Sequence, residues 1–272
     1  MEALFALKLG SSTFWWKDKD LTPALLQEMA RGGIAAVELC DYHPNFNYLR
    51  AKWLQEIGTA SRDAGLEIAT VHTHIKWHDP ALHVMHADPV RLRRAVEAYL
   101  RAVDALAILG AKVLLTHDVQ LTGDGSDRAE RERAIGAVRE IADHAQAAGI
   151  LVVLENLPAG WSSNVPELRR FVADVDHPNV KSCFDTAHAR RGGGDVAAQL
   201  RSAAPHVAVL HINDSGANGD HLLPGEGEIP WRETMAAVRE TAATAHFIYE
   251  LADCTNLARL KENFLWLAGL AG

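Results

Sequence analysis

The chain has 272 residues, with 27 Lys and Arg against 35 Asp and Glu, so its formal net charge is −8. At 48% hydrophobic and 23% charged residues the composition is that of an ordinary globular protein, which excludes disordered and fibrous chains. The acidic balance speaks against a general nucleic-acid binder, which needs surplus positive charge to meet phosphates.

Met1 to Gly10 holds one lysine and is too short and too weakly apolar for a signal peptide. No run of about 18 apolar residues exists, so no membrane span is expected. Cys40, Cys183 and Cys254 are widely spaced and form no CxxC pair. That excludes a disulfide framework and a cysteine-based zinc site, and it suits a reducing cytoplasm.

Along the chain, short apolar runs alternate with longer helical patterns. The expected strands are Leu4–Gly10, Ala35–Cys40, Glu67–His72, Lys112–His117, Ile150–Glu155, Val180–Asp185, His206–His211 and His246–Leu251. Between Asp88 and Gly110, Leu92, Val96, Tyr99, Val103 and Leu106 form a 3.6-residue stripe, and Ala134, Val138, Ile141, Ala145 and Ala148 repeat it before Gly149. Thr22-Pro23 and Asp88-Pro89 are start signals, each a capping side chain before a proline. Gly33, Gly65, Gly110 and Gly149 stand where helices must stop in a left-handed turn. Eight strand–helix units without a linker predict an α/β chain, a (β/α)₈ TIM barrel in one domain over residues 1–272. A doubly wound sheet is the alternative. It would normally carry a glycine-rich phosphate turn after the first strand, and Gly10-Ser11-Ser12-Thr13 is not one.

In a barrel, chemistry sits at the carboxyl ends of the strands. Strands three to eight end at His72, His117, Glu155, Asp185, His211 and Glu250. Counting back by twos gives apolar residues, such as Val207 and Val209 before His211, so the inward row is apolar until the rim and ionisable there. Carboxylates and imidazoles converging on one mouth repel or go unsatisfied without a cation. Glu155, Asp185, His211 and Glu250 make an oxygen-rich set suited to one divalent ion: Mn²⁺ first, with Mg²⁺, Co²⁺ or Zn²⁺ as alternatives.

Four stretches, Leu154-Glu155-Asn156-Leu157, Cys183-Phe184-Asp185-Thr186-Ala187-His188, Leu210-His211-Ile212-Asn213-Asp214 and His221 through Trp231 with its Pro224-Gly225-Glu226-Gly227 core, resemble the xylose-isomerase-like TIM barrels. That superfamily includes sugar isomerases, keto-sugar epimerases, inosose dehydratases and metal-dependent apurinic endonucleases. The resemblance implies a divalent metal on Glu155, Asp185, His211 and Glu250, proton transfer by Glu155 and Glu250, and a His188 that reaches substrate oxygens. The chemistry is consistent: a cation on the carbonyl and hydroxyl oxygens stabilises an enediolate while one carboxylate removes the α-proton and another returns it. The expected activity is a metal-dependent sugar or sugar-phosphate isomerase or epimerase. An inosose-type dehydratase or lyase, a three-metal phosphodiesterase and a non-catalytic sugar-binding barrel are the alternatives.

The phosphodiesterase reading would draw on His72, His117, His188 and His221, and on an Asp two residues before His221, where this chain has Gly219. Outside that reading, His72, His117 and His221 are candidate substrate binders. Trp16, after the first strand, offers an aromatic face to a sugar ring. The loop from Thr73 to Ala87 is long enough to act as a lid. Arg190-Arg191, before three glycines, is a candidate phosphate contact or a solvated loop. The expected partner is a small carbohydrate, with neither nucleic acid nor membrane, and relatives of this kind suggest a homo-dimer or tetramer. Substrate identity, including phosphorylation, resides in loops 11–20, 41–49, 73–88 and 212–224 and is not legible in one sequence.

Overall fold

A computed structural model describes residues 7–242 and 244–270. The strands are β1 Gly10–Ser12, β2 Ala36–Cys40, β3 Glu67–Thr73, β4 Val113–Thr116, β5 Leu151–Glu155, β6 Val180–Asp185, β7 Val207–Ile212, β8 Asp214–Gly216, β9 Gly219–Leu222 and β10 His246–Tyr249. The helices are α1 Pro23–Arg31, α2 Ala51–Asp63, α3 Ile75–His78, α4 Pro89–Leu109, α5 Arg128–Ala147, α6 Val165–Val175, α7 Thr186–Arg191, α8 Val196–Ala203, α9 Trp231–Thr241 and α10 Leu257–Leu270. Eight parallel strands close in the order β1-β10-β7-β6-β5-β4-β3-β2, with β8 and β9 set aside as a small hairpin. This is the expected TIM barrel.

The helices start and stop where the sequence says. The Thr22 hydroxyl accepts from the Leu25 N–H, the Asp88 carboxylate accepts from the Val90 and Arg91 N–H groups, and prolines occupy the first turn in both cases. Gly110 ends α4 at φ +80°, a conformation that crowds the Cβ of any other residue. Val96, Tyr99, Val103 and Leu106 of the expected stripe are buried against the strands.

The first strand is a correction. The expected span Leu4–Gly10 lies partly outside the described residues, and Leu7, Lys8 and Leu9 are not in a strand. Gly10–Ser12, read as a turn from the sequence, is the strand itself, pairing Gly10 with Ile248 on one side and Ala36 on the other. A side chain at Gly10 would meet the Phe247 carbonyl oxygen at 2.6 Å, so only glycine lets β10 approach so closely.

Two apolar layers hold the structure. The larger lies between strands and helices; the smaller fills the barrel with Ala36, Ala69, Val113, Leu115, Val153, Cys183, Val209 and Ile248. Above this plug the inward side chains become ionisable. No described helix is long and apolar enough to cross a membrane.

Candidate metal centre

Glu155 and Asp185 are the last residues of β5 and β6, His211 lies one residue before the end of β7, and Glu250 follows β10 directly. Register brings them level: Asp185 pairs with His211, and His211 with Ile248. All four side chains are buried. They meet at one atom. His211 Nδ1 lies 2.8 Å from Glu155 Oε1, 3.1 Å from Glu250 Oε2 and 3.7 Å from Asp185 Oδ2.

Asp185 is the most firmly placed of the four. Its Oδ1 caps α7 by accepting from the His188 N–H at 2.7 Å, and its Oδ2 accepts from Asn213 Nδ2 at 2.8 Å. The Asn156 amide clamps the Asp185 backbone, accepting from its N–H at 2.8 Å and donating to its C=O at 3.1 Å. The asparagines of the Glu155-Asn156 and Asn213-Asp214 motifs are therefore scaffolding for one carboxylate.

Charge in the centre is answered by imidazoles. Burial works against ionised groups throughout. For Glu155 and Glu250 the attraction of His211 and His72 outweighs burial and holds both well below the usual carboxylate range. Burial pushes Asp185 the other way, up from its ordinary value, against the pull of His188. For His211 burial opposes protonation, but Cys183, Glu250, Glu38 and Glu155 around it raise the ring well above the ordinary histidine value.

The other expected residues surround this point. His72 lies deeper than a rim position: its Nε2 is 3.2 Å from Glu155 Oε2 and its Nδ1 is 3.2 Å from Glu250 Oε1, so it spans the two glutamates. His188 sits in the first turn of α7 and donates from Nδ1 to the Asn156 carbonyl at 3.0 Å, which leaves Nε2 for another partner. His221, in β9, packs at ring distances of 5.5 Å from His188 and 5.1 Å from Phe14. His117 packs edge-on against His72 at 5.2 Å; burial, with the charges of His72 and His74, pushes it down to about 3, so it stays neutral at physiological pH. Trp16 contacts Trp15 edge-on and Lys19, and Phe14 of the same turn contacts His221.

The 73–87 loop is anchored at its start. It contains α3, whose Lys76 N–H donates to Asp118 Oδ2 at 2.8 Å, and buried Asp41 accepts from the N–H and Nδ1 of His74. Arg190 pairs with Glu228 and Arg191 with Asp220, each at 2.7 Å, so both guanidinium groups are already answered by carboxylates. The Pro224–Trp231 motif is also structural. Buried Asp214 accepts from the Ser215 N–H at 2.9 Å and the Ile229 N–H at 3.1 Å through Oδ1, and from the Gly225 N–H and Trp231 Nε1 through Oδ2, both at 2.8 Å. A Cβ on Gly227 would lie 2.3 Å from Asp214 Oδ1, so this turn requires glycine.

Sequence reasoning missed Glu38, in the middle of β2. It is fully buried, its Oε2 is 3.0 Å from His211 Nε2, and the Thr70 hydroxyl donates to the same oxygen at 2.7 Å. The signal was present: one carboxylate within Ala35-Ala36-Val37-Glu38-Leu39-Cys40, on the inward parity of Ala36.

Comparisons with known proteins agree with the barrel fold. The D-psicose 3-epimerase of Enterocloster bolteae is 25% identical over 202 residues, 71% of this chain and 64% of the epimerase. The match thus spans less than two thirds of that relative's length. A probable endonuclease 4 of Acholeplasma laidlawii is 23% identical over 209 residues, covering 70% of this chain and 69% of the relative. Among solved structures, a D-tagatose 3-epimerase-like protein superposes with a TM-score of 0.82 at 21% identity, covering 97% of this chain and 98% of that one. The sequence profile of the xylose isomerase-like TIM barrels matches residues 26–270, and the chain belongs to that family.

Proposed function

We propose that the chain is a divalent-cation-dependent epimerase or isomerase of a small carbohydrate, moving a proton at the carbon next to a carbonyl. The observation that carries this reading is the convergence of Glu155, Asp185 and Glu250 on His211 Nδ1 within 3.7 Å. The set fits a cation. Glu155 Oε2 is buried without a hydrogen-bond partner, and three carboxylates with one imidazole suit a hard ion such as Mn²⁺ or Mg²⁺, with Co²⁺ or Zn²⁺ as alternatives. Glu155, Asp185, His211 and Glu250 would hold it, and when bound it would polarise the carbonyl and the neighbouring hydroxyl of the substrate.

The side chains then divide the work. Glu155 and Glu250 come from β5 and β10, with β6 and β7 between them in the ring, so they approach a substrate from different sides. Both remain ionised, as a base must. One removes the proton and the other returns it, to the opposite face in epimerisation or to the adjacent carbon in isomerisation. His188 Nε2 hydrogen-bonds a substrate oxygen, and His72 bridges the two glutamates. His117 and His221 border the same space. Arg190 and Arg191, the candidate phosphate contacts, are each paired with a carboxylate.

The test is a panel of keto- and aldo-sugars with Mn²⁺ in deuterated water, read by deuterium incorporation at the carbon beside the carbonyl. Glu155→Gln and Glu250→Gln should each lower exchange by about 10²- to 10⁴-fold, the usual contribution of a positioned proton-transfer group. Full turnover in both variants would overturn the assignment.

A second reading has its own support. His72, His74 and His117 form one group able to hold an ion, and His188, Asp220 and His221 another, with ligand atoms within 4.8 Å of one another in each. Asp220 thus partly fills the role denied to Gly219. A three-metal phosphodiesterase would bind three ions per chain and cleave DNA at abasic sites. One ion per chain and no cleavage would dismiss it.

A further inference from the structure

We propose that Glu38 is a positioning residue for His211, holding the ring in the tautomer that presents Nδ1 to a cation. The proposal rests on the reading of His211 as a ligand. An imidazole binds a cation through an unprotonated nitrogen, and a neutral ring keeps its one proton on the other nitrogen. In His211, Nδ1 faces Glu155, Glu250 and Asp185 at 2.8, 3.1 and 3.7 Å. Nε2 faces Glu38 Oε2 at 3.0 Å. A cation gathered by the three rim carboxylates therefore calls on Nδ1, and the proton belongs on Nε2, where Glu38 accepts it.

Glu38 is built for that task. It comes from β2, on the far side of the barrel from β7, and reaches inward from the level just above Ala36 in the apolar plug. The Thr70 hydroxyl donates to the same oxygen that faces His211, which fixes the carboxylate rotamer. Its other oxygen is buried without a hydrogen-bond partner and lies 3.8 Å from His72 Nδ1. A fully buried carboxylate is costly unless it is paired and hydrogen-bonded, and the partners of Glu38 are the His211 ring and the Thr70 hydroxyl. Such a carboxylate orients a ligating imidazole and strengthens its basicity, and losing that kind of support typically lowers metal affinity about 10- to 100-fold.

Two measurements test it. In the Mg²⁺- or Zn²⁺-saturated wild type labelled with ¹⁵N-histidine, long-range proton–nitrogen correlation should show His211, assigned with a His211→Gln control, protonated at Nε2 and bare at Nδ1. A proton on Nδ1 overturns the proposal, and this reading needs no variant. Mn²⁺ binding, followed by the electron paramagnetic resonance of the free ion, should weaken about 10- to 100-fold in Glu38→Leu. Glu38→Gln, whose amide oxygen still accepts from Nε2, should recover most of that loss. Affinity in Glu38→Leu within about twofold of wild type overturns Glu38's role while leaving the cation centre standing. A wild type that binds none of these ions overturns both.

Discussion

Asp214→Ala should cost more stability than any other single change near the mouth that leaves the four candidate ligands intact. The carboxylate accepts four hydrogen bonds, two on each oxygen, from the Ser215, Ile229 and Gly225 N–H groups and from the Trp231 indole. Asp214 is fully buried, and Ser215, Ile229 and Trp231 are nearly so. Alanine strands four donors, each costing about 1–3 kcal/mol when left unpaired. A water entering the vacated space would recover part of this, so the net loss is about 3–5 kcal/mol. At roughly 2 °C per kcal/mol for a chain of this size, melting should fall by about 6–10 °C. Asn keeps one acceptor oxygen and replaces the other with a donor, so Asp214→Asn should lose about half as much. Far-UV circular dichroism melts in chelator measure both. A fall below about 2 °C in Asp214→Ala would refute the account of the Pro224–Trp231 turn as a loop hung on one carboxylate.

Mn²⁺ at a hundred times its dissociation constant should stabilise the folded chain by about 2.7 kcal/mol, because the unfolded chain cannot assemble four ligands from four strands. A melting temperature that does not change between chelator and saturating Mn²⁺ would count against the cation centre. Asp41, which is not one of the four candidate ligands, offers a pH test. Burial alone would raise its carboxyl, but hydrogen bonds with His74 and His78 outweigh burial and depress it below the ordinary aspartate value. A depressed carboxylate stabilises the fold above its unfolded pKa of about 4 and loses that contribution as pH falls through its folded value. The stability advantage of wild type over Asp41→Asn should therefore be full at pH 6 and shrink below about pH 4; an advantage that grows on acidification would reverse the sign and refute it.

Much of the barrel and part of its centre were legible because both depend on local rules. Period-2 alternation identifies the inward row of each strand, and the carboxyl end of a parallel strand is the mouth. Counting by twos thus found Glu155, Asp185, His211 and Glu250 without knowing how the strands pair. The rule failed where position along the barrel axis mattered. Glu38 is mid-strand, yet its side chain spans the barrel to His211: it pairs with Thr70, and Cys40 with His72, after a register shift at Val37/Glu38. A bulge of that kind leaves no mark that one sequence can reveal. His72 suffered the same error in the opposite sense, since a strand-end residue was expected at the rim and β3 runs one residue further, to Thr73.

Asp214 and Asp41 were missed for a different reason. Their partners are backbone N–H groups, which every residue possesses, and side chains on other segments (the Trp231 indole, His74, His78 and Tyr48), so composition does not betray them. The glycines of Gly225-Glu226-Gly227 drew notice as a motif, but their meaning lies in a carboxylate eleven residues earlier in the chain, whose oxygens occupy the space a Cβ on Gly227 would need. The centre and its supports therefore differ in kind. Ionisable residues gathered at strand ends announce chemistry because burying them without partners is expensive. The groups that aim them, Glu38 at His211, Asn156 and Asn213 at Asp185, and Asp41 at His74, become visible only when register brings the strands level. Substitutions that spare the four candidate ligands but shift β2 against β3 should for that reason disturb the cation site more than their distance along the sequence suggests.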